Sequence, residues 1–334
     1  MGVLLLNLGG PDALSAVRPF LYNLFSDRDI IRLGPAFLQK PLACLIAALR
    51  AGKTRAAYAR IGGKSPIREI TLNQASALER ELNSLTSDAQ SSTFRVFVGM
   101  RYWHPLFEDV IKEIHIQGIE KLMVLSLYPH YSVATTGSSL SYLKNVLASY
   151  PAIKTCEITS WYDHPLYIDA LVESINRGLA SFSSSLGPPQ GWNSERDVHI
   201  LFSAHSLPKK FVDEGDPYVD HIMATVRAVT ARISNPWKLS YQSKSGPVAW
   251  LEPSTEQMLE DMASRGVKNL LVVPISFVSD HIETLYEIDM LYKDMAAGLG
   301  MRLERAESLN LSPAFIAALR AIVVQGMKEA TWSE

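Results

Sequence analysis

Cysteine is scarce in this chain of 334 residues: only Cys44 and Cys156 occur, and they form no CxxC pair. That argues against a disulfide framework and a cysteine-ligated zinc or iron–sulfur site, and it predicts a reducing, cytoplasmic setting. A strong excess of charge of either sign is missing too. The formal net charge is -2, with no long Lys/Arg run, so nothing draws the chain to nucleic acid. No stretch reaches the roughly 18 uninterrupted apolar residues that a spanning helix requires. The opening MGVLLLNLGGPD runs from an apolar stretch into a turn without a basic leader, which predicts a buried first strand rather than a signal peptide. Neither a P-loop nor a GxGxxG fingerprint is present, so nucleotide binding is not indicated.

What is present is a folded composition, 47% hydrophobic and 20% charged, in a chain long enough for two packed lobes. Short apolar runs at Val3–Leu6, Phe94–Val98, Lys121–Leu127, His199–Ser203, Lys238–Gln242 and Asn269–Ile275 alternate with segments of helical period. This predicts an α/β fold with parallel sheets flanked by helices. GIEKLMVLSLYPHYS from Gly118 has the layout of GVKNLLVVPISFVSD from Gly266, each a helix ending at glycine, a strand and a polar loop. The stretches before them match as well, each a strand, an aromatic-rich loop, a proline and a helix. Two similar α/β lobes follow, 1–163 with 306–334 and 164–305, with a Ser-rich loop at 181–191 inside the second. Ligands of open α/β sheets bind beyond the carboxyl ends of the strands, so a cleft shared by the two lobes is where function is expected. Residues 19–60 are unusually apolar, which leaves two readings open: a helical hairpin packed on the first sheet, or a lip that grips an apolar ligand or touches a membrane.

Four sets of residues could carry chemistry. In SFVSDHIETLYEID, Asp280, Glu283 and Glu287 at i, i+3 and i+7 would share one helix face beside His281. Such a row suits a hydrated divalent cation, or alternatively an acidic first turn complementing the helix dipole. In FSAHSLPKK, His205 follows an apolar strand and is placed to exchange protons, or else only to brace a turn. The Gly- and hydroxyl-rich NLGGPD, RIGGKSPI and ATTGSS suit anions as well as tight turns. The aromatics Tyr102, Trp103, Tyr128, Tyr131, Trp250 and Phe277, all near strand ends, would suit a flat conjugated ligand or a plain core.

Together LLLNLGGPD, YARIGGKSPI, GMRYWHP, LSLYPHYSVATTGSS, FSAHSLP, YQSKSGPVAWLEPSTE and VPISFVSDHIETLYEID resemble the ferrochelatase family across nearly the whole chain. The resemblance implies a chelatase fold of two Rossmann-like lobes with a porphyrin between them, and insertion of Fe²⁺ into protoporphyrin IX. By motif position it makes His205 and Glu283 the catalytic, metal-contacting pair, and Asp280, His281 and Glu287 an auxiliary polar path. It places Leu8, Arg50, Tyr58, Ser65, Arg101, Tyr102, Tyr131, Trp250 and Phe277 around the porphyrin, with Tyr58, Ser65 and Arg50 toward its propionates. NLGGP resembles the protoporphyrin branch, whereas the coproporphyrin branch usually carries a YGTP-like turn; Leu8 stands where some relatives have methionine. Members with a [2Fe–2S] cluster use cysteines mostly in a C-terminal extension, which this sequence lacks, so no cluster and no tightly bound cofactor is expected and iron enters as substrate. Two rivals remain open: a cobalt or nickel chelatase acting on a sirohydrochlorin-type ring, and a non-catalytic haem carrier.

Overall fold

Strands that are apolar on both faces need helices above and below them, and the chain meets that demand twice. The computed structural model describes residues 1–84, 93–183, 193–244, 246 and 248–332. It divides into two units, Met1–Trp161 with Asn310–Glu334, and Tyr162–Leu309.

In the first unit β1 (Gly2–Asn7), β2 (Arg95–Met100), β3 (Lys121–Ser126) and β4 (Lys154–Ile158) form a parallel sheet in the order β2-β1-β3-β4. All of β1 is buried, which is why GVLLLN lacks the alternation of a one-sided strand. Leu4, Leu6, Leu122 and Val124 pack against Phe107, Val110, Ile111 and Ile114 of the helix Phe107–Ile116 and Leu143 of the helix Ser138–Leu147. On the opposite face the helix Pro313–Glu329 comes down at Gly326, where a Cβ would lie 2.7 Å from Ile158 Cδ1 and 2.9 Å from Met123 Cε.

The second unit repeats the plan. β5 (His199–His205), β6 (Trp237–Gln242), β7 (Asn269–Pro274) and β8 (Arg302–Arg305) are parallel in the order β6-β5-β7-β8. Leu201, Leu270, Val272 and Leu303 meet Leu259 and Met262 of the helix Thr255–Ser264, together with Ile288, Tyr292 and Ala296. β3 and β7 hold the same place in their sheets. Each follows a helix closed by a left-handed glycine, Gly118 (φ 70°) and Gly266 (φ 83°). Each is followed by a π-wound turn, Val133–Gly137 and Glu283–Tyr292. The sequence repeat therefore corresponds to one topological unit used twice.

β4 and β8 are strands that hydrophobic patterning does not mark. Both lie at sheet edges; in KTCEI Lys154 and Glu157 are exposed, and in RLER only Leu303 is buried, so neither forms an apolar run. Residues 184–191 of the Ser-rich stretch lie outside the described residues. The apolar segment is a hairpin of helices Val17–Ser26 and Gln39–Arg60, which pack on one another. Gln39 ties it by donating from Nε2 to the carbonyls of Phe25 (2.8 Å) and Ile31 (2.7 Å). The long helix buries Ala43, Ala47 and Ala51, while Leu45 and Leu49 remain 56% and 75% exposed.

Gly326 tests how closely the first unit is packed. Replacement by Leu is expected to cost about 1–3 kcal/mol by overpacking, whereas Ala meets Ile158 and Met123 with one methyl group and is expected to cost less. Urea unfolding midpoints at unchanged m-value check this; equal stability of Gly326→Leu and the parent would contradict it.

Candidate active site

β5 ends on His205, and the backbone there is fixed on both sides. Its N–H donates to Ser276 Oγ (2.9 Å), and its carbonyl accepts from the Tyr218 hydroxyl (3.0 Å). The imidazole, 34% exposed, places Nδ1 2.8 Å from Oε2 of Glu283, which is 16% exposed. With Nδ1 committed to that carboxylate, a neutral His205 carries its proton on Nδ1 and its lone pair on Nε2. Burial alone would lower its pKa, but the charge and hydrogen bond of Glu283 outweigh burial and raise it. For Glu283 burial works upward, and His205 reverses it to a net lowering.

Glu283 opens the π-wound segment Glu283–Tyr292, whose turns close through i→i+5 hydrogen bonds. Asp280 lies ahead of this segment. Its Oδ1 accepts from Ser308 Oγ (2.8 Å), Thr284 Oγ1 (3.0 Å) and Arg305 Nη1 (3.0 Å). The three-carboxylate row expected of a regular α-helix is therefore not formed. Glu283 and Glu287 stay together, and Asp280 belongs to a different network.

The two glutamates meet across Ser243, whose Oγ lies 2.7 Å from Glu283 Oε2 and 2.5 Å from Glu287 Oε2. One hydroxyl has one proton to give, so the second contact needs a proton from a carboxyl group. Glu287 suits that role: burial and then the neighbouring Glu283 charge raise its pKa to about 7. Ser243 sits at φ 66°, a left-handed conformation unusual for a non-glycine residue. Gln242 supports the pair from below, its Nε2 donating to the Glu283 carbonyl (3.2 Å) and Glu287 Oε2 (3.4 Å). Ser203 Oγ donates to Gln242 Oε1 (2.7 Å), which fixes the amide orientation.

His281 is buried, with Nδ1 3.1 Å from the Ser279 carbonyl and Nε2 3.9 Å from Glu283 Oε1. Burial lowers its pKa, leaving it neutral near pH 7. Phe277 stands edge-on to both imidazoles, at 4.3 Å from His281 and 6.2 Å from His205. Half-buried Trp250 bridges Pro208, in the segment that leaves His205.

The first unit gathers another group at the carboxyl ends of β1 and β2. The N–H groups of Arg101 and Tyr102 donate to the carbonyls of Asn7 (2.9 Å) and Leu8 (3.0 Å), and Ser65 N–H donates to the Pro11 carbonyl (2.7 Å). Leu8 is half-buried, and Ser65 packs against Gly10, where a Cβ would come within 2.6 Å of it. Arg101 and Tyr102 both engage Asp27, at 2.7 and 2.6 Å, and Ser138 Oγ donates to the same oxygen at 2.6 Å. Burial would raise the Asp27 pKa, but these bonds and the Arg101 charge bring it below the usual carboxylate range. Tyr102 is thus a buried tie and Arg101 a paired cation. Tyr58 is buried, Tyr131 is half-buried beside Gly137, and exposed Arg50 lies over the Phe25 ring at 5.5 Å. Among the described residues no group of three or more His, Cys, Asp and Glu side chains is arranged to hold a metal ion.

A model of the ferrochelatase family matches residues 1–327. The chain belongs to the ferrochelatase family. A ferrochelatase of Geotalea uraniireducens is 52% identical over 324 residues, 96% of each chain. That of Geobacter metallireducens is 52% identical over 326 residues, again 96% of each, and that of Synechocystis sp. is 46% identical over 98% of this chain and 83% of its own. Among solved structures, SirB of Bacillus subtilis with Fe³⁺ has a TM-score of 0.54 at 10% identity, covering 78% of this chain and 92% of SirB. At that identity the likeness shows the two-lobe chelatase fold alone. As a ferrochelatase the chain is a lyase of haem biosynthesis that puts a metal ion into a porphyrin.

Patterning alone did not mark Ser243, Gln242, Ser276, Tyr218 or Asp27. Single polar residues carry no periodic signal; their common mark is a place at or just past a strand or helix end. A His205 that accepts a proton must be neutral to do so, and on that expectation the acid limb of kcat/KM lies above the ordinary 6.5. Activity rises as pH climbs through the raised pKa. Glu283→Gln removes the charge that holds the proton and leaves burial, so the limb should move to lower pH while the rate falls. Zinc–porphyrin fluorescence across pH checks this, and an unmoved limb would contradict it.

Proposed function

We propose that this enzyme inserts Fe²⁺ into protoporphyrin IX, forming protohaem with loss of two protons, and that His205 and Glu283 are its reaction centre. The observation that carries the reading is the 2.8 Å contact between His205 Nδ1 and the Glu283 carboxylate. It directs the free lone pair of Nε2 to a pyrrole N–H and sets a negative charge beside the imidazolium that forms. Once Glu287, with a pKa of about 7, has released its own proton to solvent, Ser243 can pass its hydroxyl proton to Glu287 as it takes one from Glu283, which gives the proton a hydrogen-bonded way out.

Two side chains are few for a resident metal, which suits an enzyme whose product takes the metal away: the macrocycle itself supplies four nitrogens. Two cysteines are likewise too few for the four thiolates of a typical iron–sulfur cluster, which supports iron as substrate and no resident cofactor. Leu8, Arg50, Tyr58, Ser65, Arg101, Tyr102, Tyr131, Trp250 and Phe277 are proposed to hold the porphyrin. Support comes from their motif positions and from the surface that Leu8, Tyr131, Trp250, Phe277 and Arg50 leave reachable. Replacing His205 by Ala or Glu283 by Gln is expected to lower turnover roughly 10²–10⁴-fold, the usual worth of a proton-transfer group. Near-normal zinc insertion in both variants would overturn the assignment. Coproporphyrin turned over faster than protoporphyrin IX would overturn the substrate.

A cytoplasmic enzyme resting on a membrane surface is proposed as well. Among the described residues no helix is long and apolar enough to cross a membrane. The hairpin nonetheless exposes Phe37 (77%) with Leu45 and Leu49, and residues 30–68 hold eight Lys and Arg but no Asp or Glu. Apolar side chains among cations suit an anionic bilayer. The chain should sediment with phosphatidylglycerol vesicles, and Leu45→Glu with Leu49→Glu should abolish this without changing turnover in solution; equal sedimentation of parent and variant would refute it.

A further inference from the structure

The π-wound segment that carries the two glutamates is held from two sides. From β6, Gln242 and Ser243 hold Glu283 and Glu287, as described above. From β8, the terminal residue Arg305 holds the rest: Nε and Nη2 donate to Oδ1 and Oδ2 of Asp289, at 2.8 and 2.9 Å. Nη1 donates to Asp280 Oδ1 at 3.0 Å and to Ser308 Oγ at 3.3 Å. One planar fork thus fastens a residue inside the segment and a residue just ahead of it, and its side chain is only 11% exposed. Its own backbone is anchored, because Arg305 pairs in register with Val272 of β7, and the next N–H, of Ala306, donates to the Val272 carbonyl at 2.9 Å.

We infer that Arg305 is a positioning residue for the reaction centre, fixing the winding of Asp280–Asp289 so that the Glu283 carboxylate reaches His205. It touches neither residue of the pair. Its effect passes through two carboxylates nine positions apart, between which Glu283 and Glu287 are strung. Thr284, the residue after Glu283, shares the clasp by donating to Asp280 Oδ1 at 3.0 Å. Lysine keeps the charge at this site but cannot satisfy both carboxylates in one plane, so it separates charge from geometry.

The inference rests on the assignment of His205 and Glu283, and the experiment keeps the two apart. Arg305→Lys, Arg305→Gln and the milder Asp289→Asn are compared with Glu283→Gln in the full chain, at a temperature well below every Tm. For each, kcat, KM for Zn²⁺ and KM for porphyrin are read from zinc–porphyrin fluorescence. Arg305→Lys and Asp289→Asn should each lower kcat about tenfold or raise KM for Zn²⁺ by that much, with KM for porphyrin within about twofold of the parent. The double variant Arg305→Lys/Asp289→Asn should be no worse than the poorer single, because both break one clasp. Parent-like constants in both single variants, alongside an inactive Glu283→Gln, would overturn the inference while leaving the reaction centre in place. A loss that merely follows the fraction unfolded, or equal changes in both KM values, would also overturn it. A normal Glu283→Gln would instead overturn the reaction centre itself. Should the Arg305 variants not fold, Asp289→Asn alone decides between these outcomes.

Discussion

A histidine and a carboxylate 2.8 Å apart attract one another strongly only where water is scarce, and scarcity of water is also what makes each costly to keep there. That constraint organises the second unit. The pair is held from both ends: His205, its imidazole still 34% exposed, is bound through its backbone on both sides, and Glu283, 16% exposed, is strung along a segment fastened from β6 and from β8. Beneath them lies a layer of hydroxyls instead of hydrocarbon. Thr255 Oγ1 lies 3.1 Å from Ser203 Oγ and 3.0 Å from Ser240 Oγ, all fully buried. A fully satisfied network of this kind is stiff, because moving one member strands another.

The first unit also gathers donors on a buried carboxylate, here with no histidine partner. Asp27 is the buried anion, and Arg101, Tyr102 and Ser138 gather on it. The cluster joins the end of the helix Val17–Ser26 to the loop that leaves β2, and so ties the hairpin with the exposed leucines to the sheet. Both units thus use a carboxylate where strand ends leave backbone and side-chain donors to be satisfied.

The α/β architecture was legible in the sequence because strands covered on both faces are written as unbroken apolar runs, as in GVLLLN and NLLVVP. The repeat placed β3 and β7 as counterparts, and in the structure they occupy the same sheet position. The site was legible in part. His205 at a strand's carboxyl end and the acids after β7 could be named from pattern and motif. The sorting of those acids could not, because a spacing of three and seven implies one face only if the helix has 3.6 residues per turn. The π winding breaks that premise, and Arg305, distant in pattern from any motif, draws Asp280 away. Ser243 was hidden for another reason: its role depends on a left-handed backbone that a lone serine does not announce.

β4 and β8 escaped the hydrophobic pattern because their outward residues are charged or half-exposed. The same composition has a bearing on crowded solutions. A parallel sheet ends in a row of backbone donors and acceptors that another chain could extend, and Lys154, Glu157, Arg302 and Glu304 surround those rows with charge of both signs. Pairing another chain along β4 or β8 would bring its backbone among those charges, so the composition that hides these two strands from the hydrophobic pattern also disfavours strand addition at them.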